Sequence, residues 1–141
     1  MPPAVIIRPV AASDHAAWLP LWDAYNRFYG RSGATALADG ITRATWARFL
    51  DAQEPMHAFV AEADGGLLGL AHCLFHRSTT RIEPTCYLQD LYVTEATRGL
   101  GVGRSLIDAV CDKARESGAY RYEPGHWSNQ RVVEGDDYRR W

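Results

Sequence analysis

Val5 to Ile7 is a short β-branched run closed by Arg8 and Pro9, the pattern of a first strand with Pro9 at its exit. Trp18, Leu21, Trp22, Tyr25, Phe28 and Tyr29 then recur at helical spacing, and Ser13 is placed to cap a helix beginning at Asp14. Pro20 interrupts that pattern and predicts a kink, or a true start near Leu19. Gly30 and Gly33 open a flexible connection running to about Gly40. Trp46, Phe49 and Leu50 mark a second, short helix, capped by Thr42 or Thr45 and stopped before Pro55.

The period then changes from helical to extended. His57 to Ala63 and Leu67 to Phe75 are apolar runs joined by Asp64, Gly65 and Gly66, which predicts a β-hairpin. Thr85 to Val93 is a further strand, apolar or aromatic except at Gln89 and Asp90. Arg98 to Gly103 is a glycine-rich loop leading into a helix, whose buried side carries Leu106, Ile107, Val110, Cys111 and Ala114 and which ends at Gly118. Ala119 to Glu123 begins another strand, and a polar tail follows. The order β, α, α, β, β, β, glycine loop, α, β predicts a mixed α/β fold. It lacks the alternation of a doubly wound sheet.

Composition narrows the function classes. The 141 residues form one domain, 47% hydrophobic and 23% charged, with a net charge of −2. Such a balance excludes disordered, collagenous and coiled-coil chains, and offers no basic footprint for nucleic acid or an anionic membrane. Cys73, Cys86 and Cys111 lie in apolar runs and read as buried thiols. With no secretory leader pattern and no long apolar stretch, the expected location is the cytoplasm. The five histidines show no metal-site spacing, so no metal is expected.

The chemistry-bearing segment is YLQDLYVTEATRGLGVGRSLIDAV, residues 87 to 110. Gly99, Gly101 and Gly103 alternate at a strand-to-helix junction, where backbone N–H groups can turn inward and the first helical N–H groups face the same point. Such a nest suits a diphosphate, with Arg98 and Arg104 flanking it and Leu100 and Val102 on its hydrophobic side. The spacing fits neither a P-loop nor a dinucleotide GxGxxG fingerprint, and a tight turn without ligand is the plain alternative.

Arg98-Gly99-Leu100-Gly101-Val102-Gly103, after the strand QDLYV, resembles the acetyl-CoA loop of the GCN5-related N-acetyltransferase (GNAT) superfamily. The resemblance covers roughly residues 4 to 118. YLQDLYV and the early Tyr25-Asn26-Arg27-Phe28-Tyr29 look nearest its diamine and small-amine branch. It implies a mostly antiparallel central sheet flanked by helices, and acetyl transfer from acetyl-CoA to a primary amine, expected to belong to a small molecule. A protein N-terminus or lysine is the alternative acceptor, and a CoA-binding or oligomeric protein without turnover is the alternative of another class. Implied cofactor contacts are Leu91, Tyr92, Val93, Arg98, Gly99, Leu100, Gly101, Val102, Gly103, Arg104 and Asn129. A backbone N–H near Leu91 would polarise the thioester carbonyl. Tyr25, Tyr29 and Gln89 are the implied acceptor contacts.

The family pattern breaks at three places. Gln89 stands where the amine-acetylating branch often has a glutamate, and an amide is no base. Strand alternation would put Tyr87, Gln89 and Leu91 on one face and Leu88, Asp90 and Tyr92 on the other, so Asp90 is no simple replacement. Glu83 is the candidate base, with His72 or His76 acting through water. Asp23, Asp39 and Glu54 could attract a cationic amine. Residues 119–141 form an atypical tail in which Ser128-Asn129-Gln130 loosely resembles the family turn and Tyr138 is the candidate acid for the leaving thiol. The last strands are expected to be shortened or missing, and a homodimer to cover the open sheet edge.

Overall fold

The structure, a computed structural model, describes residues 4–119. Strand β1 (Ile6–Pro9), helices α1 (His15–Phe28) and α2 (Asp39–Phe49), strands β2 (Met56–Ala63), β3 (Gly66–His76) and β4 (Thr85–Val93), and helix α3 (Val102–Glu116) follow in that order. The described strands form one antiparallel sheet, ordered β1-β2-β3-β4. The expected strand from Ala119 to Glu123, the turn at Asn129 and Tyr138 lie wholly or mostly outside the described residues. No helix among the described residues is long and apolar enough to cross a membrane.

Alternation along the strands divides the core between two faces. Phe59, Ala61, Ala71, Leu91 and Val93 meet Val102, Leu106, Ile107 and Val110 of α3. Val60 and Leu70 point the other way, onto Trp18, Leu21, Trp22, Tyr25 and Trp46 of α1 and α2. The indoles of Trp18 and Trp22 stack with centroids 5.6 Å apart, and Trp18 meets Trp46 at 4.7 Å. Each buried indole withdraws roughly 200 Å² from water, on the order of 5 kcal/mol of gross stabilisation. The aromatic spacing of α1 therefore serves mainly the core.

Local chemistry sets the boundaries. Asp64 and Gly65 both have positive φ, 52° and 77°, giving the two-residue turn that matches strand twist and closes the β2–β3 hairpin. Pro20 lies inside α1 without ending it. Ser13 does not cap α1: it sits in a 3₁₀ turn, Ala12–Asp14, and Asp14 directs its carboxylate to the Ala11 N–H at 2.7 Å and to Arg8 at 2.7 and 2.9 Å. The Arg8 guanidinium holds the Asp14 carboxyl below its usual range. Thr42 and Thr45 do not cap α2, which begins earlier, at Asp39; the Thr42 hydroxyl instead accepts the Trp22 indole N–H at 3.1 Å, tying α2 to α1. Cys73 and Cys86 are buried and Cys111 half-buried, all as free thiols.

Gly69 positions the sheet against α3. A Cβ there would lie 2.7 Å from the Tyr92 carbonyl oxygen and 3.2 Å from Leu106 Cδ1, so only hydrogen fits between strand and helix.

Candidate functional site

Strand β4 carries the site because its pairing slips once. Asp90 faces His72 and Leu88 faces Cys73, which leaves Gln89 as the extra residue of a β-bulge. The slip resets alternation. Leu88 and Leu91, three apart, both pack toward α3, while Asp90 meets the α1 side through His72. Gln89 is exposed, Asp90 is nearly buried, and both line one cleft. The expectation that they face opposite ways is thereby corrected: it assumed a regular strand.

The cleft has a volume of about 510 Å³ and lies between the bulge, the end of α1, the following loop and α2. Its apolar wall includes Trp22, Leu37, Ile41 and Phe49, and its polar groups include Asn26, Arg31, Thr45, Arg48, Gln89 and Asp90.

Behind it runs a buried relay. The Trp18 indole N–H, which can only donate, gives its hydrogen to His72 Nε2 at 3.0 Å. The imidazole proton therefore resides on Nδ1, which donates to Asp90 Oδ2 at 2.9 Å. His72 has both nitrogens occupied and is 2% exposed, so it positions Asp90 and is not a free base. Tyr25 is buried beside this relay, and its hydroxyl reaches the Gln89 carbonyl at 3.4 Å, supporting the bulge. Burial first, and then the Asp90 charge, push the Tyr25 phenol far above its ordinary value, which keeps it a donor. Tyr25 thus belongs to the core beneath the cleft, whereas Tyr29 is 46% exposed and packs on the Tyr25 ring.

Other expected acid and base groups lie elsewhere. Glu83 is exposed in the loop before β4, six residues ahead of Gln89, or about 20 Å along extended chain. His76 is exposed and engages the Arg77 carbonyl. Asp23 and Asp39 line an adjoining depression beside α1 with Arg27 and Arg43, which shares Asn26, Arg31 and Leu37 with the cleft, and Glu54 sits in the loop before β2.

The glycine loop follows β4 directly. A 3₁₀ turn, Glu95–Thr97, leads to Gly99 and Gly101, with φ of 85° and 84°. Gly101 is the N-cap of α3 in the left-handed conformation, and the first helical bond runs from Ser105 N–H to its carbonyl at 3.1 Å. The N–H groups of Val102, Gly103 and Arg104 precede that bond and have no acceptor within the helix. Among the described residues no heavy atom lies within 4 Å of where a Cβ would stand on Gly99 or Gly101, so a ligand can approach the loop backbone there. This geometry fits a diphosphate. Arg98 braces the loop, donating from Nε to the Val93 carbonyl at 3.0 Å with its guanidinium over the Tyr92 ring. Arg104 is exposed on the first turn. Val102 is buried as expected, but Leu100 is 63% exposed, because the positive φ values on either side swing it outward.

The profile of the acetyltransferase (GNAT) family matches residues 18–132. The chain belongs to this family. This N-acetyltransferase is 34% identical over 116 residues to a D-amino-acid N-acetyltransferase of Saccharomyces cerevisiae, covering 81% of this chain and 70% of that protein. It is 29% identical over 113 residues to an uncharacterized N-acetyltransferase of Bacillus subtilis, covering 80% and 72%. Its fold is that of AAC(6')-Iy, crystallised with a CoA-linked bisubstrate analogue, at a TM-score of 0.70 and 19% identity over 93% of this chain and 90% of that one. The ribosomal-protein-alanine N-acetyltransferase of Brucella melitensis superposes with a TM-score of 0.64 at 23% identity, covering 82% and 75%.

Sequence reasoning missed the Trp18–His72–Asp90 relay. The signal available was a polar residue in each of two largely apolar strands, His72 in one and Asp90, beside Gln89, in the other.

Proposed function

We propose that this acetyltransferase moves the acetyl group of acetyl-CoA to the primary amine of a small molecule by direct attack. The observation that carries the reading is the continuity of β4. Its bulge delivers Gln89 and Asp90 to an acceptor-sized cleft, and nine residues later the same chain opens the anion-binding loop at Gly99. The name of the yeast relative, a D-amino-acid N-acetyltransferase, supports a small-molecule acceptor.

Acetyl-CoA supplies an acetyl group activated as a thioester. Within Gly99 to Arg104, the N–H groups at the start of α3, those of Val102, Gly103 and Arg104, would hold its diphosphate, the Leu100 N–H being given to the Thr97 carbonyl at 3.4 Å, and the backbone of Leu91 to Val93 would take its pantetheine. The Leu91 N–H, just past the bulge, would donate to the carbonyl oxygen where negative charge develops. Asp90 orients the acceptor ammonium and takes the proton that must leave before nitrogen can attack. His72 and Trp18 are positioning residues that keep the carboxylate aimed. Gln89 contacts the acceptor by hydrogen bonding. Asn129 and Tyr138 remain the candidates for a further cofactor contact and for the acid that protonates the leaving thiol, and they lie outside the described residues.

The test is calorimetric titration with acetyl-CoA, followed by thiol release across a panel of amines. Saturable binding of one molecule per chain, weakened by Gly101→Trp, and thiol release with small amines are the expected results. Folded protein that neither binds acetyl-CoA nor releases thiol would overturn the reading.

A further inference from the structure

The acceptor cleft holds more positive charge than a site for a simple cationic amine needs. Arg31 and Arg48 both line it, and among the described residues neither guanidinium is paired with a carboxylate. Arg31 is held in place. Its backbone N–H donates to the Asn26 carbonyl at 2.8 Å, and its Nε donates to Asn26 Oδ1 at 2.6 Å. Asn26 is itself buried, and its amide donates to the Trp22 carbonyl at 2.9 Å. The guanidinium also lies 5.9 Å from the Tyr25 ring centre and 5.5 Å from that of Tyr29. One of five donors is thus used to fix the fork, and no hydrogen bond to a described residue engages its terminal nitrogens.

A guanidinium fixed in this way forfeits little side-chain entropy when it meets a planar anion. Asp90 lies at the hydroxyl end of the same tyrosine, where that hydroxyl meets the bulge, while Arg31 lies over its ring. The cleft therefore presents a negative group and a fixed positive group about one tyrosine side chain apart. That is the complement of a zwitterion the size of an α-amino acid.

We infer that the acceptors are amino acids whose carboxylate is bound by Arg31, with Arg48 adding attraction from the exposed side of α2. This deepens the proposed acetyl transfer and rests on the same cleft. It also replaces the expectation that Asp23, Asp39 and Glu54 recruit a purely cationic amine: none of the three lines this cleft, and Asp23 and Asp39 line the adjoining depression on the other side of Arg31 from Asp90 and Gln89.

The test compares an α-amino acid with the amine lacking only its carboxylate, in equilibrium binding and in kcat/KM for thiol release. The wild type is expected to favour the amino acid by about 10- to 100-fold, the worth of a charge-assisted bond. Arg31→Gln should lose far more on the amino acid than on the amine, Arg31→Lys should recover part of the preference, and Arg48→Gln should lose less than Arg31→Gln. Melting temperatures near wild type keep misfolding out of the comparison. Equal binding of the two acceptors by the wild type, or equal losses on both in Arg31→Gln, would overturn the inference. Preferential amino-acid binding without any thiol release would uphold the carboxylate site while overturning the proposed transfer.

Discussion

Replacing His72 with leucine removes one ring that serves two buried partners. Trp18 is 0% exposed, and its indole N–H would lose its acceptor with no water to replace it. An orphaned buried donor costs about 1–3 kcal/mol. Asp90, 8% exposed, would lose the donor that solvates its carboxylate, a charge-assisted bond worth about 1.5–3 kcal/mol. Leucine fills most of the vacated volume, so the cavity contribution is small, and the total is about 3–5 kcal/mol. With an unfolding entropy of roughly 0.3 kcal/mol/K for a domain of this size, the midpoint should fall by about 10–17 °C. Scanning calorimetry measures that fall directly, and a double-mutant cycle with Trp18→Phe isolates the bond. Once one partner is gone, removing the other costs less, so the two single losses should exceed the double loss by about 1–2 kcal/mol. A midpoint within about 4 °C of wild type, together with an additive cycle, would refute the relay.

Gly69→Ala should lower stability by about 1–3 kcal/mol, because the new methyl meets the Tyr92 carbonyl and the backbone must move; urea unfolding reads the loss. Gly101→Ala forces a side chain into a backbone with φ of 84°, costing about 1–2 kcal/mol and weakening acetyl-CoA binding in the same preparation. His57 is held below its ordinary pKa by burial and then by Lys113, so the unfolded chain binds its proton first. Its contribution is complete above about pH 6.5 and declines as pH falls, and His57→Gln should flatten the stability profile between about pH 7 and 5. The Asp14 carboxyl, depressed mainly by Arg8, stabilises above about pH 4 and loses that effect as pH falls toward its folded value; Asp14→Asn should remove this acid-dependent loss in the same titration.

The parts of the fold that were legible are those written in adjacent residues. Asp64-Gly65 needs only its own two φ angles to announce a hairpin, and Gly99 and Gly101 announce the loop in the same way. The bulge at Gln89 has no such marker: no glycine stands there, and the slip exists only in the register with β3. The relay is less legible still, since Trp18 and His72 are 54 positions apart and Asp90 another 18 beyond. Thr42 looked like a cap because capping residues are also good partners for an indole N–H, and only packing decides between the two uses. Arg31 carried no motif at all; Asn26, five residues earlier, makes it a fixed fork, and that depends on how the chain leaves α1.

The stacking of Trp18 and Trp22, with planes 13° apart, has an optical consequence. Two indoles so close couple their electronic transitions, and Trp46 adds a third to the group. Trp22 also lines the cleft, so a molecule entering there changes the polarity around one member of the coupled set. Near-ultraviolet circular dichroism and emission wavelength should therefore respond to acceptor binding without any attached dye. The packing that builds the core also gives the molecule its own gauge of whether the cleft is filled.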